Sequence, residues 1–134
     1  MKIVVRLLAL VLAFASLNAV ARGNVAIVNH EAIPATTATG KPATPDQIRA
    51  ALQAAGAPRG WQITPAGDGK ALAVLDVRGK HQVSADISYT SGQYSIKYRD
   101  SSNMNFDPKD NTIHVKYNLW VQKLVDDTRA QLAR

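Results

Sequence analysis

The chain has no cysteine and a single glutamate, Glu31. Without thiols there is no disulfide framework, thiolate metal site, thiol nucleophile or lipid-modified cysteine, so stability has to come from packing and hydrogen bonding. With one glutamate, a paired-carboxylate mechanism would have to bring two aspartates together in three dimensions. Aromatic residues are few, at 6% of the sequence, and 134 residues are too short for two enzymatic domains or a doubly wound nucleotide-binding fold.

What is present begins with an address. Lys2 and Arg6 precede an apolar run from Leu7 to Leu17, and Ala19-Val20-Ala21 supplies the small residues of a signal-peptidase site. At about 1.5 Å per residue this run is too short for a hydrocarbon core about 30 Å thick. Residues 1–21 therefore read as a cleaved signal peptide, and the protein as periplasmic, with no membrane span in the mature chain. Removing Lys2 and Arg6 lowers the formal charge from +6 to +4. The remaining cations are interleaved with aspartates, so nucleic acid is not an expected partner, whereas an envelope protein or an anionic envelope component is.

Residues 22–43 read as a short N-terminal strand, Val25 to Val28, followed by a flexible tether biased to Ala, Thr, Pro and Gly. Residues 44–134 read as the folded domain. Thr44-Pro45-Asp46-Gln47 is a helix start with a hydroxyl cap, proline at the first position and an amide three residues after the cap. Ile48, Ala51, Leu52 and Ala55 then share one face, with Gly56 suited to a left-handed C′ position. From Trp61 the period becomes two, through strands separated by Gly67-Asp68-Gly69, Arg78-Gly79-Lys80 and Ser91-Gly92. Such short connections imply an antiparallel meander. Ile113, Tyr117, Trp120, Val121, Leu124, Val125 and Leu132 form a closing helical stripe, with its cap expected around Asp110 to Thr112. The expected fold class is α+β: a two-layer sandwich in which a four-stranded antiparallel meander sheet carries two helices on one face, in the order β-α-β-β-β-β-α. The N-terminal strand could pair within the chain or with a neighbour, giving a monomer or a strand-exchanged dimer.

Candidate chemistry is sparse. His30, His81 and His114 contain no i, i+4 metal-ligand pair, and His114 with Asn118 reads more simply as satisfying backbone groups at a sheet edge. The Asp100 to Asn111 loop places oxygens at Asn103, Asn105 and Asp107, but an EF-hand counted from Asn103 needs glycine where Pro108 stands and glutamate where His114 stands. Gly67-Asp68-Gly69 is a turn and no phosphate cradle, and there is no GxSxG. No catalytic set, metal site or cofactor is implied. The candidate binding residues are Lys97, Arg99, Asp100, Ser101, Asn103, His114 and Asn118, on the open sheet face, in the loop beyond it and at the start of the closing helix.

The segment from Gly60 to Leu124 carries Gly60-Trp61, Ala85-Asp86-Ile87-Ser88-Tyr89, Tyr94 to Ser101 and Ile113-His114-Val115-Lys116-Tyr117-Asn118-Leu119-Trp120-Val121. It resembles small exported proteobacterial proteins of uncharacterised function, several of them lipoprotein-like. The I-H-x-x-Y-N-x-W-V helix start is the most specific part. The resemblance implies export and fold without an activity, and the missing cysteine separates this chain from the lipoprotein-like members. The leading expectation is a non-enzymatic binding module of the cell envelope. The alternatives are a small hydrolase or metal-dependent enzyme using His81 or His114 with Asp100, and a chaperone-like stress accessory protein.

Overall fold

The computed structural model describes residues 23–134, so the expected leader and its cleavage site lie outside the described residues. The elements are β1 (Val25–Ala26), β2 (His30–Pro34), α1 (Pro45–Gly56), a 3-10 turn (Ala57–Arg59), β3 (Trp61–Pro65), β4 (Lys70–Val77), β5 (His81–Thr90), β6 (Gln93–Ser102), β7 (Thr112–Ile113) and α2 (Lys116–Leu132). The chain is α+β with mostly antiparallel pairing. The sheet has five strands rather than four, in the order β2-β6-β5-β4-β3, and β1 pairs with β7 in a separate two-stranded ladder.

The fifth strand comes from the N-terminal segment. Val25–Ala26 runs against Ile113 and Thr112, while His30 and Ile33 pair with Ile96 and Tyr94 at the β6 edge. A bulge interrupts this edge at Ala32, whose φ is +52°, and the Ala32 N–H donates to Ser95 Oγ at 2.9 Å. Glu31-Ala32-Ile33-Pro34 has neither clean alternation nor a proline-free end, which hides it as a strand.

The expected tether is tied into the fold. Ala35 and Ala43 are fully buried, and three backbone bonds join Ala35 N to Gly92 O, Gly92 N to Ala43 O and Ala43 N to Ala35 O. Thr37 N also donates to Lys41 O. Composition misleads here because backbone hydrogen bonds, rather than large apolar side chains, offset the ordering entropy.

The start of α1 is a complete capping box: Gln47 N–H donates to Thr44 Oγ1 at 3.1 Å, and Thr44 N–H to Gln47 Oε1 at 2.9 Å. Gly56 is not the left-handed cap. Its φ is −78°, and the chain continues through Pro58 to Gly60, where φ is +92°. Gly56 serves close approach instead, since a Cβ there would lie 2.9 Å from Trp61 Cβ.

The pleat of β3–β6 sends Trp61, Ile63, Leu75, Val83, Ile87 and Ile96 to one side, where they form a single cluster with Ile48 and Leu52 of α1 and Tyr117, Val121 and Leu124 of α2. Both helices contribute side chains to this one buried cluster. Ala73 and Ala85, opposite each other in register, keep its centre shallow enough for close helix packing. The other side carries Gln62, Asp76, Gln82, Asp86, Ser88 and Lys97, all exposed, with Leu72 and Val74 half-buried among them. A bulge opposite Ser84 and Ala85 makes Arg99 the extra residue, ending the alternation of β6.

The start of α2 also differs from expectation. Ile113 is buried as part of β7, and Asp107 holds a turn in which its Oδ1 accepts from Lys109 N at 2.9 Å. The N-cap is Val115, which makes no side-chain capping bond; His114 before it accepts the Lys116 N–H at Nδ1, 3.1 Å away, and the Tyr117 N–H at its carbonyl. The cap therefore falls at Val115 and not at Asp110 to Thr112, and the imidazole satisfies one of the free N–H groups of the first turn.

Candidate functional site

The seven sequence-derived candidates do not form one site. Lys97 pairs with Glu31 at 3.0 Å and Arg99 with Asp86 at 2.9 Å, both on the open sheet face. Asp100 Oδ1 accepts from Ser101 N, and Asp100 lines a shallow depression with Leu72, Val74 and Arg99. Ser101 Oγ lies 2.7 Å from Tyr98 Oη. Asn118 joins α2 to the N-terminal segment, accepting from Val28 N–H at 3.1 Å and donating to Ala26 O at 2.9 Å. Five of the seven therefore pair with neighbouring surface groups or brace the backbone locally.

Asn103 and His114 lead elsewhere. Asn103 sits at φ +59°, donates through Nδ2 to Lys80 O at 3.0 Å, and accepts at its carbonyl from the His81 ring 2.8 Å away. It clamps the β4–β5 turn against the loop after β6. That turn, the loop and the first turns of α2 enclose a groove of about 480 Å3 lined by Val77, Arg78, Lys80, His81, Met104, His114, Lys116 and Trp120. His81 and His114, 33 residues apart in sequence, line the same groove. Asp100 does not line it, so the carboxylate expected to work with them is missing from its walls.

Hydrogen-bond partners fix both ring tautomers. A carbonyl only accepts, so His81 carries its proton on Nδ1, leaving Nε2 as an acceptor in the neutral ring. His114 Nδ1 accepts from a backbone N–H, so its proton is on Nε2. The third histidine, His30, lies at the β2 start, where burial pushes its pKa down against the opposing pull of Asp126.

The groove is electrostatically one-sided. Arg78, Lys80 and Lys116 line it with no aspartate or glutamate, and none of the three is ion-paired among the described residues. Arg49, Arg59, Lys97, Arg99 and Arg129 each have an acidic partner. The nearest acid in sequence, Asp76, is engaged by Gly79 N–H at 2.9 Å. Arg78 is presented by a type I′ turn, with φ +60° at Arg78, +67° at Gly79, and Lys80 N bonded to Val77 O. Left-handed geometry at a non-glycine residue costs about 1 kcal/mol, which a plain Asn-Gly turn would avoid.

A larger open groove of about 920 Å3 runs between the α1 start and the β3–β4 and β5–β6 hairpin tips. It mixes Asp46 and Asp68 with Arg49 and Lys70, and Asp46 is paired with Arg49. Among the described residues, no three His, Cys, Asp or Glu side chains gather where a metal ion could be held.

In the sequence Arg78 and Lys80 belong to a turn and Trp120 to the closing helical stripe. No local pattern links positions 78–81 to 114–120, and the basic character emerges only when the sheet end meets the helix start. No family model matches this chain, and no curated protein or solved structure matches it either.

Proposed function

We propose that this protein is an exported, non-enzymatic binding module of the cell envelope that recognises an anionic group in the groove between the β4–β5 turn and the start of α2. The observation that carries the reading is the segregation of charge: Arg78, Lys80 and Lys116 converge without an acid, while Lys97 and Arg99 on the open sheet face each have an acidic partner. Like charges brought together raise the free energy of the folded chain, and a bound anion relieves that repulsion. The His114 ring adds an Nε2–H donor. In this reading the protein is a monomer, supported by the pairing of both N-terminal strands within the chain.

Titration with inorganic pyrophosphate, followed by tryptophan emission, tests the groove. Trp120 lines it, whereas Trp61 is only 4% exposed in the core. Saturable binding that weakens at least tenfold in Arg78→Gln/Lys80→Gln, and is unchanged in Lys97→Gln, is expected. Equal affinity in all three proteins removes the groove from consideration. Export is tested by expression in a Gram-negative host, where the periplasmic product should begin at Arg22; an intact leader on a cytosolic product would end the localisation.

A further inference from the structure

Four large hydrophobic side chains stand exposed on the described molecule: Val28, Phe106, Val115 and Leu119. Phe106 rests on the Tyr98 ring, with centroids 4.7 Å apart. The other three belong to the start of α2 or to the segment hydrogen-bonded to it. Val115 and Leu119 are one helical turn apart at the start of α2 and are 45% and 49% exposed. Val28 is joined to the same turn through its N–H bond to Asn118. On the adjoining strip of the helix, Lys116 and Trp120, again one turn apart, line the cationic groove. The first two turns of α2 thus pass, going round the helix, from exposed aliphatic residues to lysine and tryptophan and then into the groove.

We propose that this surface docks the protein on an anionic bilayer, with a lipid phosphoryl headgroup in the groove and Val28, Val115 and Leu119 against the headgroup–acyl boundary. The inference rests on the groove reading above and adds its occupant. Charge complementarity favours a phosphoryl group: one arginine satisfies a carboxylate's two oxygens, whereas a phosphoryl group offers oxygens to several cations at once. The positive end of the α2 dipole contributes in the same direction. The aliphatic trio lies beside the groove rather than within it, so a small soluble anion would leave it in water. A membrane surface engages both parts, as basic amphipathic surfaces with interfacial tryptophan do. The next acids along α2, Asp126 and Asp127, are engaged by Gln122 and Arg59 two turns or more further on. No helix of the described residues is long and apolar enough to cross a membrane, so the contact proposed is peripheral.

The test uses sedimentation with vesicles of phosphatidylcholine alone and of phosphatidylcholine mixed with phosphatidylglycerol, with Trp120 emission as a local readout. A leader left on the chain affects wild type and variants alike, whereas Trp120 reports its own surroundings. Binding to the mixed vesicles with a blue shift in emission is expected, and it should be lost in high salt. Each cation near an anionic surface contributes about fivefold to partitioning, so Arg78→Gln/Lys80→Gln/Lys116→Gln should weaken it by about a hundredfold. Leu119→Ser should weaken it several-fold and leave pyrophosphate affinity unchanged. Circular dichroism of each variant establishes folding, and Lys97→Gln on the open face should behave as wild type. Pyrophosphate binding without vesicle binding overturns the bilayer inference and leaves the groove reading intact; absence of both overturns both. Equal emission shifts on the two vesicle types, or an undiminished shift in Leu119→Ser, also overturn it.

Discussion

Along β5, Val83, Ala85, Ile87 and Tyr89 are buried beneath the helices, while Gln82, Asp86 and Ser88, one residue away on the same strand, face solvent. The pleat alone makes this difference, so buried and solvated positions separate at single-residue spacing. A second contrast lies within the exposed surface. On the open face, strand register brings Lys97 near Glu31 and Arg99 near Asp86, and charge is neutralised locally. At the end of the sheet, where a turn, a loop and a helix start meet without a shared register, Arg78, Lys80 and Lys116 have no such partners. An ordered ladder makes a balanced surface easy, and irregular junctions are where imbalance collects.

The sharpest way to break the first contrast is to empty one buried position and its exposed neighbour. Ile87→Ala should lower unfolding free energy by about 2–5 kcal/mol in urea titration, whereas Asp86→Ala, losing only an exposed ion pair with Arg99, should cost less than about 1 kcal/mol. Similar losses at both sites would mean that the two sides of the sheet are not distinct.

Alkaline titration probes the covered side through its phenols. Burial pushes Tyr94 up to about 12, and burial raises Tyr117 further, with Tyr98 adding to it. The folded state therefore keeps protons that the unfolded chain releases near pH 10. This contribution is fully present below pH 10 and is lost as pH rises towards 12. Tyr94→Phe should flatten that limb of a stability–pH profile; an unchanged limb would assign alkaline unfolding to other groups.

Two smaller effects sharpen the comparison within each region. Among the described residues the buried Tyr117 hydroxyl has no hydrogen-bond partner, whereas the buried Thr128 Oγ1 donates to Leu124 O at 2.7 Å. Tyr117→Phe should raise stability by about 1 kcal/mol, because an unpaired buried hydroxyl is costly, while Thr128→Val gains nothing comparable. At the groove, Arg78→Asn should raise the thermal midpoint, gaining about 0.5 kcal/mol from a residue that accepts left-handed geometry, and should weaken pyrophosphate binding several-fold. A variant that is stabilised with unaltered affinity would show that the Arg78 charge serves no ligand.

Much of the fold is legible in the sequence because it is written in short-range patterns. The Thr44–Gln47 box, the alternation from Val83 to Tyr89 and the stripe from Tyr117 to Leu132 each report an element whose periodicity reflects one buried side. The bulge at Arg99 escapes this reading because an extra residue breaks the parity on which it depends. The His114 bond to the Lys116 N–H escapes it because imidazole is not among the side chains that usually satisfy a helix start. The candidate residues on the open face were visible as charges, but whether each charge is paired depends on register across strands, which sequence spacing does not give.

By itself, the sequence determined which segments are amphipathic, where the meander turns and which helix closes the core, since these follow from local sterics and burial at periods of 2 and 3.6. Tertiary structure alone decided that residues 30–34 complete the sheet, that residues 35–43 are held by backbone bonds, and that residues 78–81 meet 114–120 around a groove without acids. The physical reason is range: a local pattern constrains a residue's own neighbours, whereas the partner of a strand edge and the balance of charge in a groove depend on segments brought together only when the chain closes on its core.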